Sequence, residues 1–366
     1  MSTVDVDAVM AGLKGFQRDA VDHVIERFYG APSGEASGRF LVADETGLGK
    51  SIVARGVIAK AIEHLQDVDH VDRIDIVYVC SNVDLATQNL RRLNVTGDKH
   101  IGMATRLTLL AKESRRLSEK TSDAGKKVNL VSFTPGTSFS EGGWRQGSAP
   151  ERAMLAVILD KIANRTNSDR RVTRLLMHGN VATPERFDQR HVQPLLRELA
   201  GEPDPRIVTT FTRMIETDGS LDRFIALRDE VRRKHSMPSE LKQRNHDLIA
   251  EFRQSLAKAG VDTLEPDLII LDEFQRFRHL LNPESGDAAE LAQALFEHPD
   301  AKVLLLSATP YKPFTNSDDA EDDHYQDFLA TVRFLAGGAP SAEREVAAAL
   351  AAYRQSLVVG GDAAAS

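Results

Sequence analysis

The chain contains one cysteine, Cys80, so no internal disulfide can form, and its place in an apolar run marks it as a buried thiol. No stretch approaches the roughly 18–20 apolar residues that a membrane-spanning helix needs. Met1 to Gly12 carry Asp5 and Asp7 but no basic cluster ahead of an apolar segment, so no secretory signal is read there. His279, His298 and His324 lack the spacing of metal ligands. These absences lead to the expectation of a soluble, cytoplasmic protein with no membrane partner. Positive charge is also short: the net charge of −8 argues against a general coat for nucleic acid. The charge is unevenly spread, however. Residues 144–260 hold 21 Lys and Arg against 16 Asp and Glu, while 261–366 hold 7 against 19.

What is present is the material of a globular core, in a chain of 366 residues that is long enough for one large domain or two ordinary ones. Five short apolar runs read as strands: Arg39–Ala43, Ile74–Ser81, Val128–Phe133, Asp267–Leu271 and Val303–Ser307. Most are continuous rather than alternating, which suits parallel strands covered on both faces. Helical segments such as Ser51–Leu65 and Leu85–Leu93 lie between them, and this alternation predicts an α/β fold with a three-layer sheet. From about Glu151 to Lys258 the pattern changes to helical spacing, as in Met154, Leu155, Ile158, Leu159 and Ile162, with breaks at Pro203, Pro205 and Pro238. We read this region as a helical insertion between two strands of the α/β core. The expected organisation is therefore 1–143 and 261–335 as two parts of one α/β domain, 144–260 as the insertion, and 336–366 as a tail with one helix, Ala342–Leu357.

Three segments carry chemistry. Ala43-Asp44-Glu45-Thr46-Gly47-Leu48-Gly49-Lys50-Ser51 follows a predicted strand and opens a predicted helix, the context of a phosphate-binding loop. Backbone N–H groups of Thr46, Gly47, Leu48 and Gly49 can approach phosphates there. Lys50 can reach the β and γ phosphates, and Ser51 can hold Mg²⁺. Asp44 stands where the strict loop pattern has its first glycine. Next, Leu268-Ile269-Ile270-Leu271 ends in the carboxylates Asp272 and Glu273. At the carboxyl end of a parallel strand Asp272 would support Mg²⁺, and Glu273 would orient and deprotonate an attacking water. The third segment, Ser307-Ala308-Thr309, puts hydroxyls at a strand end, where they could link nucleotide state to movement of a neighbouring domain.

Taken in order, these segments resemble motifs I, II and III of superfamily 2 helicases and translocases of the DEAD/DEAH-box-like kind, and the first is most similar to the Swi2/Snf2-like branch. Leu13-Lys14-Gly15-Phe16-Gln17-Arg18-Asp19-Ala20 looks like the adenine-reading segment of that family, with Gln17 on the base. Ile76–Gln88 falls where motif Ia lies, and Phe133-Thr134-Pro135-Gly136-Thr137 resembles motif Ib. The resemblance implies a RecA-like P-loop NTPase sandwich that binds ATP and Mg²⁺. It also implies contacts from Ser81, Asn82, Thr134, Gly136 and Thr137 to a nucleic-acid backbone. DNA is favoured over RNA by the form of the first motif, although Phe274-Gln275 departs from the better-known forms of motif II.

A complete motor of this kind uses a second RecA-like domain that brings arginines to the nucleotide. Only 57 residues follow Thr309, with Arg333, Arg344 and Arg354 scattered among them, so the partner is expected in a longer chain or a separate subunit. The chain by itself is then expected to bind ATP and turn it over weakly. The alternative from a different class is a nucleotide-dependent binding subunit for nucleic acid or protein, without helicase activity, of the kind used in restriction or phage defence. Other features have plainer readings. The acidic run Asp318–Asp323 is a solvated loop, Trp144 packs the insertion, and Arg232-Arg233-Lys234 is a short candidate phosphate contact.

Overall fold

The computed structural model describes residues 4–30, 37–43, 49–97, 107–112, 125–134, 146–163, 166–200, 202–234, 237–281, 287–307 and 321–362. In chain order the strands are β1 (Arg39–Ala43), β2 (Arg73–Cys80), β3 (Lys127–Phe133), β4 (Pro266–Asp272) and β5 (Lys302–Ser307). The helices used below are α1 (Val6–Ala11), α2 (Gly15–Ile25), α3 (Lys50–Gln66), α4 (Val83–Leu93), α5 (Ala149–Ile162), α6 (Asn167–Met177), α7 (Pro184–Phe187), α8 (Gln193–Glu198), α9 (Pro205–Thr217), α10 (Ser220–Lys234), α11 (Ser239–Thr263), α12 (Asp287–Phe296), α13 (Glu321–Leu335) and α14 (Pro340–Asp362). The protein is α/β and mostly helical. No helix among the described residues is long and apolar enough to cross a membrane.

The chain forms two compact units, Met1–Lys99 with Pro266–Ser366, and His100–Glu265. In the first unit four strands run in the order β1-β5-β4-β2, and each neighbouring pair is parallel. The continuous apolar runs are explained by burial: Ile76, Val77, Tyr78 and Val79 in β2, Leu268 to Leu271 in β4, and Val303 to Leu306 in β5 are all essentially inaccessible. Gly56, in the middle of α3, marks the closest approach of α2, because a Cβ there would stand 2.7 Å from Val21. Arg39, at the start of β1, donates to the Phe334 carbonyl at 2.7 Å and lies 4.2 Å over that ring, which fastens α13 beside the sheet.

The second unit holds β3 and helices α5 to α11. Its centre is α5, buried continuously from Glu151 to Leu159, as expected of a helix surrounded on all sides. Phe211 of α9 and Phe224 of α10 meet Phe252 of α11 edge-on, with ring centroids 6.0 and 5.7 Å apart. The prolines act as helix starts: Pro205 opens α9, and Pro238 stands at the N-cap of α11. The compact unit begins at His100, ahead of residue 144 where the strand signal fades in the sequence.

Candidate active site

Strand register brings the candidate motifs to one edge of the first unit's sheet. Ala43, the last residue of β1, pairs with Ser307, the last of β5, and Leu306 pairs with Asp272 at the end of β4. Asp272 in turn pairs with Cys80 at the end of β2. The carboxyl ends of four parallel strands are thus level, which is where open α/β sheets bind ligands.

Gly49 takes the left-handed conformation, φ 87° and ψ 38°, and α3, the next helix after β1 in the chain, begins at Lys50. Among the described residues no side chain caps this start, unlike α4, where Asn82 accepts from the backbone N–H of Asp84, or α5, capped by Ser148. A helix start without a side-chain cap favours an anion, through its N–H groups and dipole. Gln17 is buried against the same point: a Cβ on Gly49 would lie 2.6 Å from its Nε2. Its Oε1 accepts from Lys14 N–H at 3.0 Å, which holds the amide in place. Beside the start of α3 opens a cavity of about 710 Å³, walled by Gly12, Leu13, Ser51, Arg55, Arg91 and Arg92. Its volume lies within the range of small-molecule sites.

Asp272 is buried, and its Oδ2 accepts from the Tyr78 hydroxyl at 2.5 Å and from Asn89 Nδ2 at 3.4 Å. The Asn89 amide also donates to the Tyr78 oxygen at 2.9 Å, closing a three-residue network. Burial raises the carboxyl of Asp272 above the usual carboxylate range. The bond from Tyr78 and the charge of Lys50 oppose that rise, while the charge of Glu273 adds to it. Burial and the neighbouring Asp272 push the Tyr78 phenol up, so it stays a donor. No Lys or Arg among the described residues forms an ion pair with Asp272. Glu273 is half-buried, with a left-handed backbone at φ 52° that a non-glycine residue rarely adopts. Its Oε2 accepts from Ser81 Oγ at 3.2 Å and pairs with Arg276 Nε at 3.1 Å.

Of the residues singled out from sequence, Gln17, Gly49, Lys50, Ser51, Ser81, Asn82, Asp272, Glu273 and Ser307 all belong to this unit, and Ser307 is fully buried. Thr134, in the other unit, is buried at the end of β3. Thr46, Gly47, Leu48, Ala308, Thr309, Gly136, Thr137 and Trp144 lie outside the described residues. Arg232 of the candidate basic run is held by Asp169 and Asp229 at 2.9 and 2.6 Å. Cys80 is a buried free thiol, its pKa raised chiefly by burial. Sequence reasoning missed Tyr78, Asn89 and Arg276. The available signal for the first was a phenol inside a continuous apolar strand, since a buried tyrosine hydroxyl needs a partner.

No group of three or more His, Cys, Asp or Glu that could hold a metal occurs among the described residues. The donors at hand are one buried carboxylate, Asp272, and one half-buried hydroxyl, Ser51. That set fits Mg²⁺, which usually keeps several waters and phosphate oxygens and takes one or two protein ligands. Compared with known proteins, the chain matches no family model, no curated protein and no solved structure.

Proposed function

We propose that this chain is an ATP-binding motor domain of the superfamily 2 helicase and translocase type, RecA-like in fold. It would couple ATP hydrolysis to remodelling of, or movement along, nucleic acid, with DNA favoured over RNA. The observation that carries this reading is the convergence of sequence-distant segments on one sheet edge. Lys50 follows β1, Asp272 and Glu273 end β4, Ser307 ends β5, and the charge of Lys50 is felt at Asp272. A P-loop lysine and a carboxylate pair are the parts that phosphoryl transfer needs within reach of each other.

In this reading the phosphates lie on the start of α3 and against Lys50, with Gln17 beside the loop for the base. Ser51 and Asp272 would hold Mg²⁺, which when bound neutralises charge on the phosphate oxygens. Tyr78 and Asn89 keep the Asp272 carboxylate turned towards the strand ends. Glu273 orients the attacking water and takes its proton on a carboxylate oxygen. Ser81 and Asn82, at the start of α4, would meet the backbone of the nucleic acid. A second RecA-like domain, in the same chain or another, would complete the motor.

Lys50→Ala is expected to weaken ATP binding at least about tenfold, as loss of a charged phosphate contact should. The check is titration calorimetry with ATP and Mg²⁺, and unchanged affinity would sink the reading.

A further inference from the structure

Ser81 and Arg276 both act on one oxygen of Glu273. The Ser81 hydroxyl donates to Oε2 from the end of β2, and the Arg276 guanidinium pairs with the same oxygen from the turn Phe274–Arg276. The turn is anchored by Phe274 and Phe277, both buried, so Arg276 hangs from a fixed base while its own side chain stays 62% exposed. With Oε2 held by two donors, the carboxylate cannot swing round to align a water and take its proton without breaking those contacts. Both donors are also natural phosphate ligands, and guanidinium with phosphate is a strong, bidentate match.

We infer that Ser81 and Arg276 are positioning residues that restrain Glu273 until a phosphodiester backbone takes them over. The inference rests on the reading of Glu273 as the residue that activates water. A nucleic-acid backbone arriving at the start of α4 offers Arg276 and Ser81 a phosphate in place of the carboxylate. Glu273 is then released to turn towards the nucleotide. The left-handed backbone of Glu273 suits such a device, because strain at a non-glycine residue favours its release once the contacts that hold it are gone. Stimulation of ATP turnover by nucleic acid thus has a structural cause inside this one unit.

The test is steady-state ATP turnover by the full chain, with and without a short DNA duplex, for the unaltered protein, S81A, R276A, R276K and S81A/R276A. Glu273→Gln serves as the inactive reference, and a thermal melt of each variant establishes that it folds. Removing the restraint should raise kcat without DNA by about two- to fivefold, the scale of losing one exposed ion pair. KM for ATP should not change, stimulation by DNA should shrink most in the double variant, and R276K should keep part of the original pattern. The inference is overturned if basal kcat and DNA stimulation both stay as they are. It is equally overturned if turnover falls with and without DNA, which would make the contacts mere support for catalysis. Failure of the underlying reading looks different: no protein in the set, the double variant included, would turn over ATP, and the inference would fall with it. Turnover by the double variant alone would support both.

Discussion

In the unit His100–Glu265, Arg174 lies between Asp160 and Asp188 with contacts of 2.5 Å to each, and Glu151, fully buried, accepts from Arg253 at 3.0 Å and Thr108 at 2.9 Å. In the unit built from Met1–Lys99 and Pro266–Ser366, Asp272 is comparably buried, but its hydrogen-bond neighbours are a phenol and an amide. Burying a charge is costly unless it is matched, so a charge matched within its own unit serves the fold. Asp272 forms no ion pair among the described residues and feels the charge of Lys50 only at longer range, so in the proposed function its compensation comes from what binds there. The same unit also shows the matched case: at the opposite end of β2, Asp75 accepts from Arg73 Nε at 2.8 Å.

The contrast can be broken most forcefully at Arg174. Replacing it with Ala strands the partly buried Asp160 and Asp188 and should cost about 2–4 kcal/mol of stability, below the full cost of breaking a wholly buried pair. ATP affinity should be untouched. Urea denaturation followed by circular dichroism measures the first, and a loss below about 1 kcal/mol would mean that the pairs are effectively solvated.

Asp267, buried at the start of β4, sharpens the comparison through pH. Its carboxyl is raised from 3.8 to about 6, chiefly by burial, with the negative charges of Asp75 and Asp300 adding and the Asp75 N–H bond and Arg73 opposing. The folded protein therefore holds this proton more tightly than the unfolded chain. Stability from this group is greatest below the ordinary carboxylate range, declines as pH rises towards about 6, and is level above. Asp267→Asn, whose amide oxygen can still accept from Asp75 N–H, removes that decline. The variant should gain on the order of 2 kcal/mol in neutral buffer and nothing in acid. Thermal melts across the pH range would show it, and a gain independent of pH would contradict the cause given.

The smallest effect has the most telling sign. Asp272→Asn should stabilise the folded chain by about 0.5–2 kcal/mol, because a buried carboxylate held at a cost is removed while Tyr78 keeps an acceptor. The same variant should lose the Mg²⁺ dependence of ATP binding. Destabilisation would place Asp272 with Arg174 among the charges that serve the fold.

Much of the architecture is legible in the sequence. The run Arg39–Ala43 is β1 residue for residue, the run read at β4 falls short of the strand by one residue at each end, and that at β5 by one residue at its start. Strands covered on both faces demand uninterrupted apolar residues, and that demand is written locally. The places of Lys50, Ser51, Asp272 and Glu273, at a helix start and a strand end, were legible for a similar reason, since residue types at such junctions are restricted. Tyr78 and Asn89 were not legible: one reads as an apolar strand residue, the other as an ordinary position on α4. Their role depends on Asp272, which lies 194 residues from Tyr78 and 183 from Asn89.

By itself, then, the sequence determined the elements and the local chemistry: periodicity sets which segments are strands and helices, and glycine, lysine and paired carboxylates at their ends set what each can do. Only the tertiary structure decided the company those groups keep. It placed β5 between β1 and β4, levelled Ala43, Ser307, Asp272 and Cys80, and put two donors on one oxygen of Glu273. The physical reason is that strand register and long-range hydrogen bonds are chosen by the packing of both sheet faces at once. No window of neighbouring residues contains that information.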